Sequence, residues 1–213
     1  MSEKKIFIVR HGQRCDVVHP SLRHEYPNPL DPRLTDLGRY QSQCTKNLIA
    51  CFTNSEKSLK VVSSPFLGCI ETALEISSRV SVDWRFSDLL HVLNYPVDIK
   101  DSLSFKTEWF KNLYFDVDAA GSLPEYPENY DSMKTRALSG FYEHLSNSPE
   151  AVMVIVTHLL PLEVISEVFA KDQVKLRDEG FCSVTYGTVN GDSYQLVLLA
   201  DHTHARQYSK QRS

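Results

Sequence analysis

The chain has 213 residues, 42% of them apolar and 23% charged, with a formal net charge of −4. That length suits one domain, 1–213, with room for a lid or insertion, and the composition is that of an ordinary soluble globular protein. No basic stripe appears, which argues against direct nucleic-acid binding or a membrane-surface role, so any anion site must be a local pocket.

Only four apolar residues follow Met1–Lys5, too few for a secretory leader, and no stretch approaches the ~18 apolar residues of a membrane span. The cysteines, Cys15, Cys44, Cys51, Cys69 and Cys182, are odd in number, scattered and without a Cys-x-x-Cys pair. Several lie in apolar stretches and read as small core residues, and the set fits a reducing compartment, cytoplasmic or nuclear, better than metal binding.

The first predicted element is the apolar run Ile6–Val9, a buried strand that meets Arg10-His11-Gly12 and then Arg14. A proline-rich loop, Pro20 to Pro32, follows with Arg23, His24 and Tyr26, and is a candidate substrate wall. Thr35 reads as the N-cap of an amphipathic helix reaching about Phe52. Leu59–Val62 is a short strand closed by Ser63-Ser64-Pro65, and a helix carries Leu67, Ile70, Leu74 and Ile76. Val80–Trp84 is a third strand. From Leu89 to Tyr130 periodicity fails, and 89–130 reads as an insertion packed over the carboxyl edge of the sheet.

Helical spacing resumes over Tyr130–Leu145. Ala151–Val156 is the strongest strand, ends in Thr157-His158, and leads into a helix from Leu160 to Phe169. Phe181–Tyr186 and Tyr194–Leu199 form a terminal hairpin around Asn190-Gly191. This alternation predicts an α/β fold, a three-layer α/β/α sandwich with a largely parallel central sheet.

Ligands of open α/β sheets bind beyond the carboxyl ends of the strands. Arg10, His11 and Arg14 end one such strand and His158 another. Two guanidinium groups and an imidazole are costly to bury unless an anion pairs with them, and a phosphate offers the charge and oxygens to match two guanidinium forks. Neighbouring positive charge would keep His11 neutral, with one ring nitrogen free to attack phosphorus.

The ordered set of motifs is similar to the histidine phosphatase (phosphoglycerate mutase-like) superfamily. It comprises Arg10-His11-Gly12, Ser63-Ser64-Pro65 before a helix with Glu71-Thr72-Ala73, and Thr157-His158. Arg10–Asp16, Leu34–Gly38, Tyr130-Asp131, Leu162-Glu163 and Gly180–Ser183 resemble the branch of suppressor-of-T-cell-receptor-signalling and ecdysteroid-phosphate phosphatases. Arg10–Arg14 with Tyr26–Leu30 also resembles the histidine-phosphatase-like subunit of the fungal RNA polymerase III transcription factor complex.

The resemblance implies a phosphohistidine mechanism with His11 as nucleophile, Arg10 and Arg14 as phosphate ligands, His158 as the second histidine, and no metal or cofactor. It implies a phosphorylated small molecule or phosphoprotein as substrate. The second branch would instead imply protein partners and a nuclear role. No residue pattern fixes the oligomeric state, with a homodimer as one expectation.

Two positions depart from the family pattern. Its pocket arginine in Ser-Pro-x-x-Arg is Gly68 here, and its general acid aligns with His91, with Asp88 as the fallback carboxylate. Losing one charge stabiliser costs roughly 10²–10³ in kcat, and losing a general acid roughly 10²–10⁴. Two readings of function follow: a weak or specialised phosphomonoesterase, and a pseudophosphatase that keeps the pocket for binding.

Overall fold

The computed structural model describes residues 3–21, 31–54, 58–90, 106, 114–116, 121–172, 174–176 and 180–206. Side chains of β1 (Lys4–Arg10) alternate between two apolar layers, which is what a strand buried on both faces requires. Phe7 and Val9 join Ile49, Cys69, Ala73 and Ile76 on one face. Ile6 and Ile8 join Phe141, Leu162, Ile165 and Phe169 on the other.

The first layer is made by α2 (Asp36–Thr53) and α3 (Leu67–Ile76), which follow a four-residue helix, α1 (Cys15–Val18). The second is made by α4 (Tyr130–Asn147) and α5 (Leu159–Ala170). Thr35 caps α2 by accepting a hydrogen bond from the Gly38 amide at 2.9 Å. Asn129 caps α4 in the same way through the Ser132 amide. Each cap satisfies an amide that the first helical turn leaves without a partner.

The sheet also contains β2 (Leu59–Ser63), β3 (Arg79–Val82), β4 (Tyr114–Asp116), β5 (Val152–Thr157), β6 (Val184–Asn190) and β7 (Ser193–Asp201). Its order is β4-β3-β2-β5-β1-β6-β7. The strands from β4 to β1 in that order run parallel, and β6 and β7 form an antiparallel hairpin beside β1. The fold is thus the predicted mixed α/β arrangement with helices on both faces of a mostly parallel sheet.

The hairpin turns at Gly191, whose φ of +57° suits a residue without a side chain. Several boundaries move. The strand expected over Val80–Trp84 runs Arg79–Val82, and Trp84–Phe86 is a 3₁₀ turn. Gly180–Ser183 precedes β6 as a turn rather than opening the strand, with Cys182 at φ +58°. Tyr114–Asp116, inside the stretch without periodicity, adds an edge strand parallel to β3. The rest of 91–113 except Lys106 lies outside the described residues, as do 22–30 of the proline-rich loop.

β1 and β5 are adjacent and parallel, with Arg10 opposite Thr157. The residues that follow them, His11 and His158, therefore leave the sheet side by side at its carboxyl edge. Chain connections run outward from this pair in opposite directions, toward β2 on one side and β6 on the other. That is the position at which open α/β sheets leave a crevice.

Candidate active site

The His11 amide donates to the Thr157 carbonyl at 3.0 Å, which extends the β1–β5 ladder into the site. The Gly12 amide donates to Thr72 Oγ1 at 3.0 Å, so α3 fixes the turn that follows. Gly12 is required here by space. A Cβ at Gly12 would stand 2.5 Å from the Gly38 carbonyl oxygen, and one at Gly38 would run closer still into the Gln13 carbonyl.

Two histidines meet in this crevice. The rings of His11 and His158 lie 5.3 Å apart, edge to face, and both are almost wholly buried. His11 Nδ1 is 2.8 Å from the Gly12 carbonyl oxygen, which can only accept, so Nδ1 carries the hydrogen and Nε2 keeps its lone pair. The His11 pKa is pushed down to about 3, first by burial, then by the positive charge of Arg14 and, more weakly, Arg10, against the Gly12 hydrogen bond. The ring is therefore neutral at physiological pH, with burial rather than the arginines as the main cause.

His158 Nε2 lies 3.0 Å from Ser64 Oγ and 3.5 Å from Cys69 Sγ. Its ring meets Phe66 edge to face at 5.1 Å. Burial is again the main reason its pKa falls well below the usual histidine value, followed by proximity to His11, while the Asp88 carboxylate opposes the fall. Burial also pushes the Cys69 thiol pKa far up, so Cys69 stays protonated.

The arginines are held differently. Arg14 makes a two-pronged ion pair with Asp16, Nε to Oδ1 at 3.0 Å and Nη2 to Oδ2 at 2.9 Å. The Arg10 guanidinium carbon lies 4.8 Å from the centroid of the Phe181 ring. The structure brings together His11, His158, Arg10 and Arg14, and the charge of both arginines is felt at both histidines.

Gly68 lies in the first turn of α3, and a Cβ there would meet the Arg14 side chain at 3.2 and 3.3 Å. The stem of Arg14 thus fills the space into which an arginine at 68 would emerge. One residue earlier, the Leu67 amide donates to Asp31 Oδ1 at 2.5 Å. Asp31 pairs at 2.5 Å with Lys106, whose ammonium also donates to the Pro65 carbonyl at 2.6 Å. Both side chains of this pair are essentially inaccessible. Glu71, also buried, accepts from Arg33, Arg39 and the Leu34 amide, and so ties the 31–39 segment to α3.

Of the two expected proton donors, His91 lies outside the described residues. Asp88 is half-buried, and its segment is anchored from three sides. Arg136 donates to the Trp84 and Ser87 carbonyls, Thr157 Oγ1 donates to the Phe86 carbonyl, and Asp88 Oδ1 accepts from the Leu90 amide. Among the described residues no group of His, Cys, Asp or Glu is placed to hold a metal ion. No described helix is long and apolar enough to cross a membrane.

Sequence reasoning missed Ser64, Asp16, Phe181 and the Asp31–Lys106 pair. The spacing Arg14-x-Asp16 was a readable signal for the ion pair. Nothing local announces the other contacts.

The arrangement has counterparts of known structure. YhfR of Bacillus stearothermophilus superposes with a TM-score of 0.66 at 18% identity, over 95% of this chain and 99% of that one. The ecdysone phosphate phosphatase of Bombyx mori, solved with tungstate, superposes with a TM-score of 0.64 at 16% identity, over 92% of each chain. A mycobacterial glucosyl-3-phosphoglycerate phosphatase, solved with VO3, superposes with a TM-score of 0.62 at 20% identity, over 92% of this chain and 98% of that one. At such identities these likenesses speak for the fold. No curated protein matches the sequence. The model of the histidine phosphatase superfamily (branch 1) matches residues 6–202, from the strand that delivers His11 to beyond the last strand of the sheet, and the chain belongs to that superfamily.

Proposed function

We propose that the protein is a phosphomonoester hydrolase of slow turnover or narrow substrate range, acting through a phosphohistidine on His11. The observation that carries this reading is the state of His11: neutral, hydrogen-bonded through Nδ1 to Gly12, with Nε2 free beside His158 and the two arginines. That is what a nitrogen nucleophile needs at neutral pH.

In the first step Nε2 forms a bond to phosphorus as the bond from phosphorus to the alcohol oxygen breaks. Arg10, Arg14 and His158 hold the phosphoryl oxygens, and the departing oxygen takes a proton from Asp88 or His91. In the second step water attacks phosphorus and gives a proton back to Asp88 or His91 as the bond from phosphorus to Nε2 breaks, releasing neutral His11 and inorganic phosphate. A phosphorylated small molecule or a phosphoprotein is the substrate class, without metal or cofactor.

A second reading has its own observation. The stem of Arg14 covers Gly68, and Asp16 takes two of the Arg14 donors. The anion pocket thereby loses charge where the transition state needs it most. On this reading the protein is a pseudophosphatase that binds phosphate or a protein partner, for example within a nuclear transcription factor complex.

Purified protein assayed with an aryl phosphate, with His11→Ala as blank, decides between them. The hydrolase reading expects turnover that His11→Ala lowers by about 10⁴ or more, with an acid-labile phosphoryl group trapped on the wild-type chain. Equal rates for the two proteins would leave the binding reading.

A further inference from the structure

We infer that Ser64 is the positioning residue for His158, its hydroxyl fixing the ring in the tautomer that offers Nδ1–H to a phosphoryl oxygen. Ser64 Oγ lies 3.0 Å from His158 Nε2, and Cys69 Sγ lies 3.5 Å from the same nitrogen. Both groups carry a hydrogen of their own. Burial keeps the Cys69 thiol protonated, so it offers no thiolate to accept from the ring. A hydroxyl and a thiol that converge on one ring nitrogen suit a lone pair there and not a third hydrogen.

The hydrogens decide between the two tautomers. With a lone pair on Nε2, Ser64 donates to it at 3.0 Å and the thiol adds a weaker bond. With a hydrogen on Nε2, Ser64 has to accept. Its own hydrogen is then left to Ser87 Oγ at 3.5 Å, the limit of a useful bond, and the thiol loses its acceptor at this nitrogen. All of these groups are buried, so the first arrangement costs less. Burial holds the His158 pKa well below the usual value, the ring is neutral, and Nδ1 therefore carries its single hydrogen.

The two buried histidines thus share one tautomer and have opposite uses. His11 keeps its Nε2 lone pair for phosphorus, whereas His158 spends Nε2 on Ser64 and has Nδ1–H to give. His158 contributes a directed hydrogen bond and no positive charge. The backbone fixes Ser64 for this task. Its amide donates to the Val156 carbonyl at 2.9 Å, and its carbonyl accepts from Ser63 Oγ at 2.8 Å. The residue that holds the ring is thereby tied to the strand that delivers it. Phe66, two residues on, meets the same ring edge to face and limits its rotation.

The inference rests on the reading that a phosphoryl group enters this pocket, and two readouts separate them. Nitrogen NMR of the wild-type full chain, free of anions, should place the His158 ring hydrogen on Nδ1; a hydrogen on Nε2 would overturn the inference outright. Ser64→Ala, checked by thermal unfolding, should give a mixture of tautomers. Its binding of inorganic phosphate, or of orthovanadate where phosphate is too weak, should weaken about 3- to 10-fold in calorimetry, as expected for one neutral hydrogen bond. Ser64→Thr keeps the hydroxyl and should stay within about 2-fold of wild type. With His158→Ala already present, Ser64→Ala should cost less than about 2-fold, because the ring it orients is gone. An unchanged tautomer or unchanged binding in Ser64→Ala, or an equal loss with and without His158, would overturn the positioning role. Absence of anion binding by a wild-type protein that carries the Nδ1 hydrogen would overturn the phosphoryl reading and leave the hold of Ser64 on the ring intact.

Discussion

The two sides of the pocket have been treated differently. On the β1 side the nucleophile keeps its reactive capacity: His11 is oriented through one nitrogen and free at the other. On the α3 side charge is absent or neutralised. Gly68 contributes nothing, Lys106 is spent on Asp31, Cys69 is held as a thiol and His158 is tied to Ser64. Attack on phosphorus and stabilisation of the charge it generates are therefore separable in this protein. On the hydrolase reading proposed above, the first is intact and the second limits turnover.

The strongest way to break that contrast is to rebuild the weak side. Gly68→Arg with His91→Glu should raise kcat/KM by several orders of magnitude, about 10²–10³ from the arginine and 10²–10⁴ from the acid. The new side chain at 68 has to displace the stem of Arg14, a flexible neighbour and not backbone. If the pair of substitutions folds and stays as inactive as His11→Ala, the difference between the two sides does not set the rate.

Removing one member of the buried pair on that side tests its structural cost. Lys106→Met leaves the Asp31 carboxylate buried with the Leu67 amide but without its cation, and should destabilise the fold by about 3–5 kcal/mol in urea unfolding. Adding Asp31→Asn should recover much of the loss. A neutral Lys106→Met would mean that the pair carries little of the α3 side.

The nucleophile side predicts a pH dependence. The folded pKa of His11, about 3, lies below the ~6.5 of an unfolded histidine, so on acidification the unfolded chain takes up the proton first. The stability this group contributes is complete above about pH 6.5 and is lost as pH falls toward 3. His158 is shifted in the same direction and adds to the loss. Between pH 6.5 and 4, His11→Asn should lose about 3 kcal/mol less than wild type. Parallel curves for the two proteins would show that His11 is not buried neutral.

The smallest effect sharpens the contrast between the arginines. Asp16→Asn should tighten phosphate binding by about 2- to 5-fold, as expected for releasing a partly buried ion pair. A loss instead would mean that Asp16 orients Arg14 more than it competes for it.

Much of this was legible because it depends on short-range pattern. Ile6–Val9 and Ala151–Val156 announce buried strands, and strands of that kind deliver Arg10-His11 and Thr157-His158 to one edge. Thr35 and Asn190-Gly191 declare a cap and a turn by their own chemistry.

What escaped depends on distant partners. Three residues of strand at Tyr114–Asp116 are too short to show a period and exist only because β3 offers an edge. Phe181 looks like the start of a strand until the left-handed Cys182 turns the chain back over Arg10. The neutrality of His11 was expected from its arginines, but burial dominates, and burial is a property of the assembled fold.

The crossing of Gly12 and Gly38 has a consequence for how this sequence can change. Each glycine excludes a side chain because of the backbone of the other segment, so the two positions form one constraint. In a library of all single substitutions both should be as intolerant as the buried strand residues. Yet Gly38 lies in a helix, where alanine would ordinarily be the better residue. No second substitution rescues either one, because the obstacle is a carbonyl and not a side chain that could be trimmed. A lineage that abandoned phosphate chemistry altogether would still be expected to keep this pair, so its presence testifies to the fold, and only His11 and the residues around it testify to the reaction.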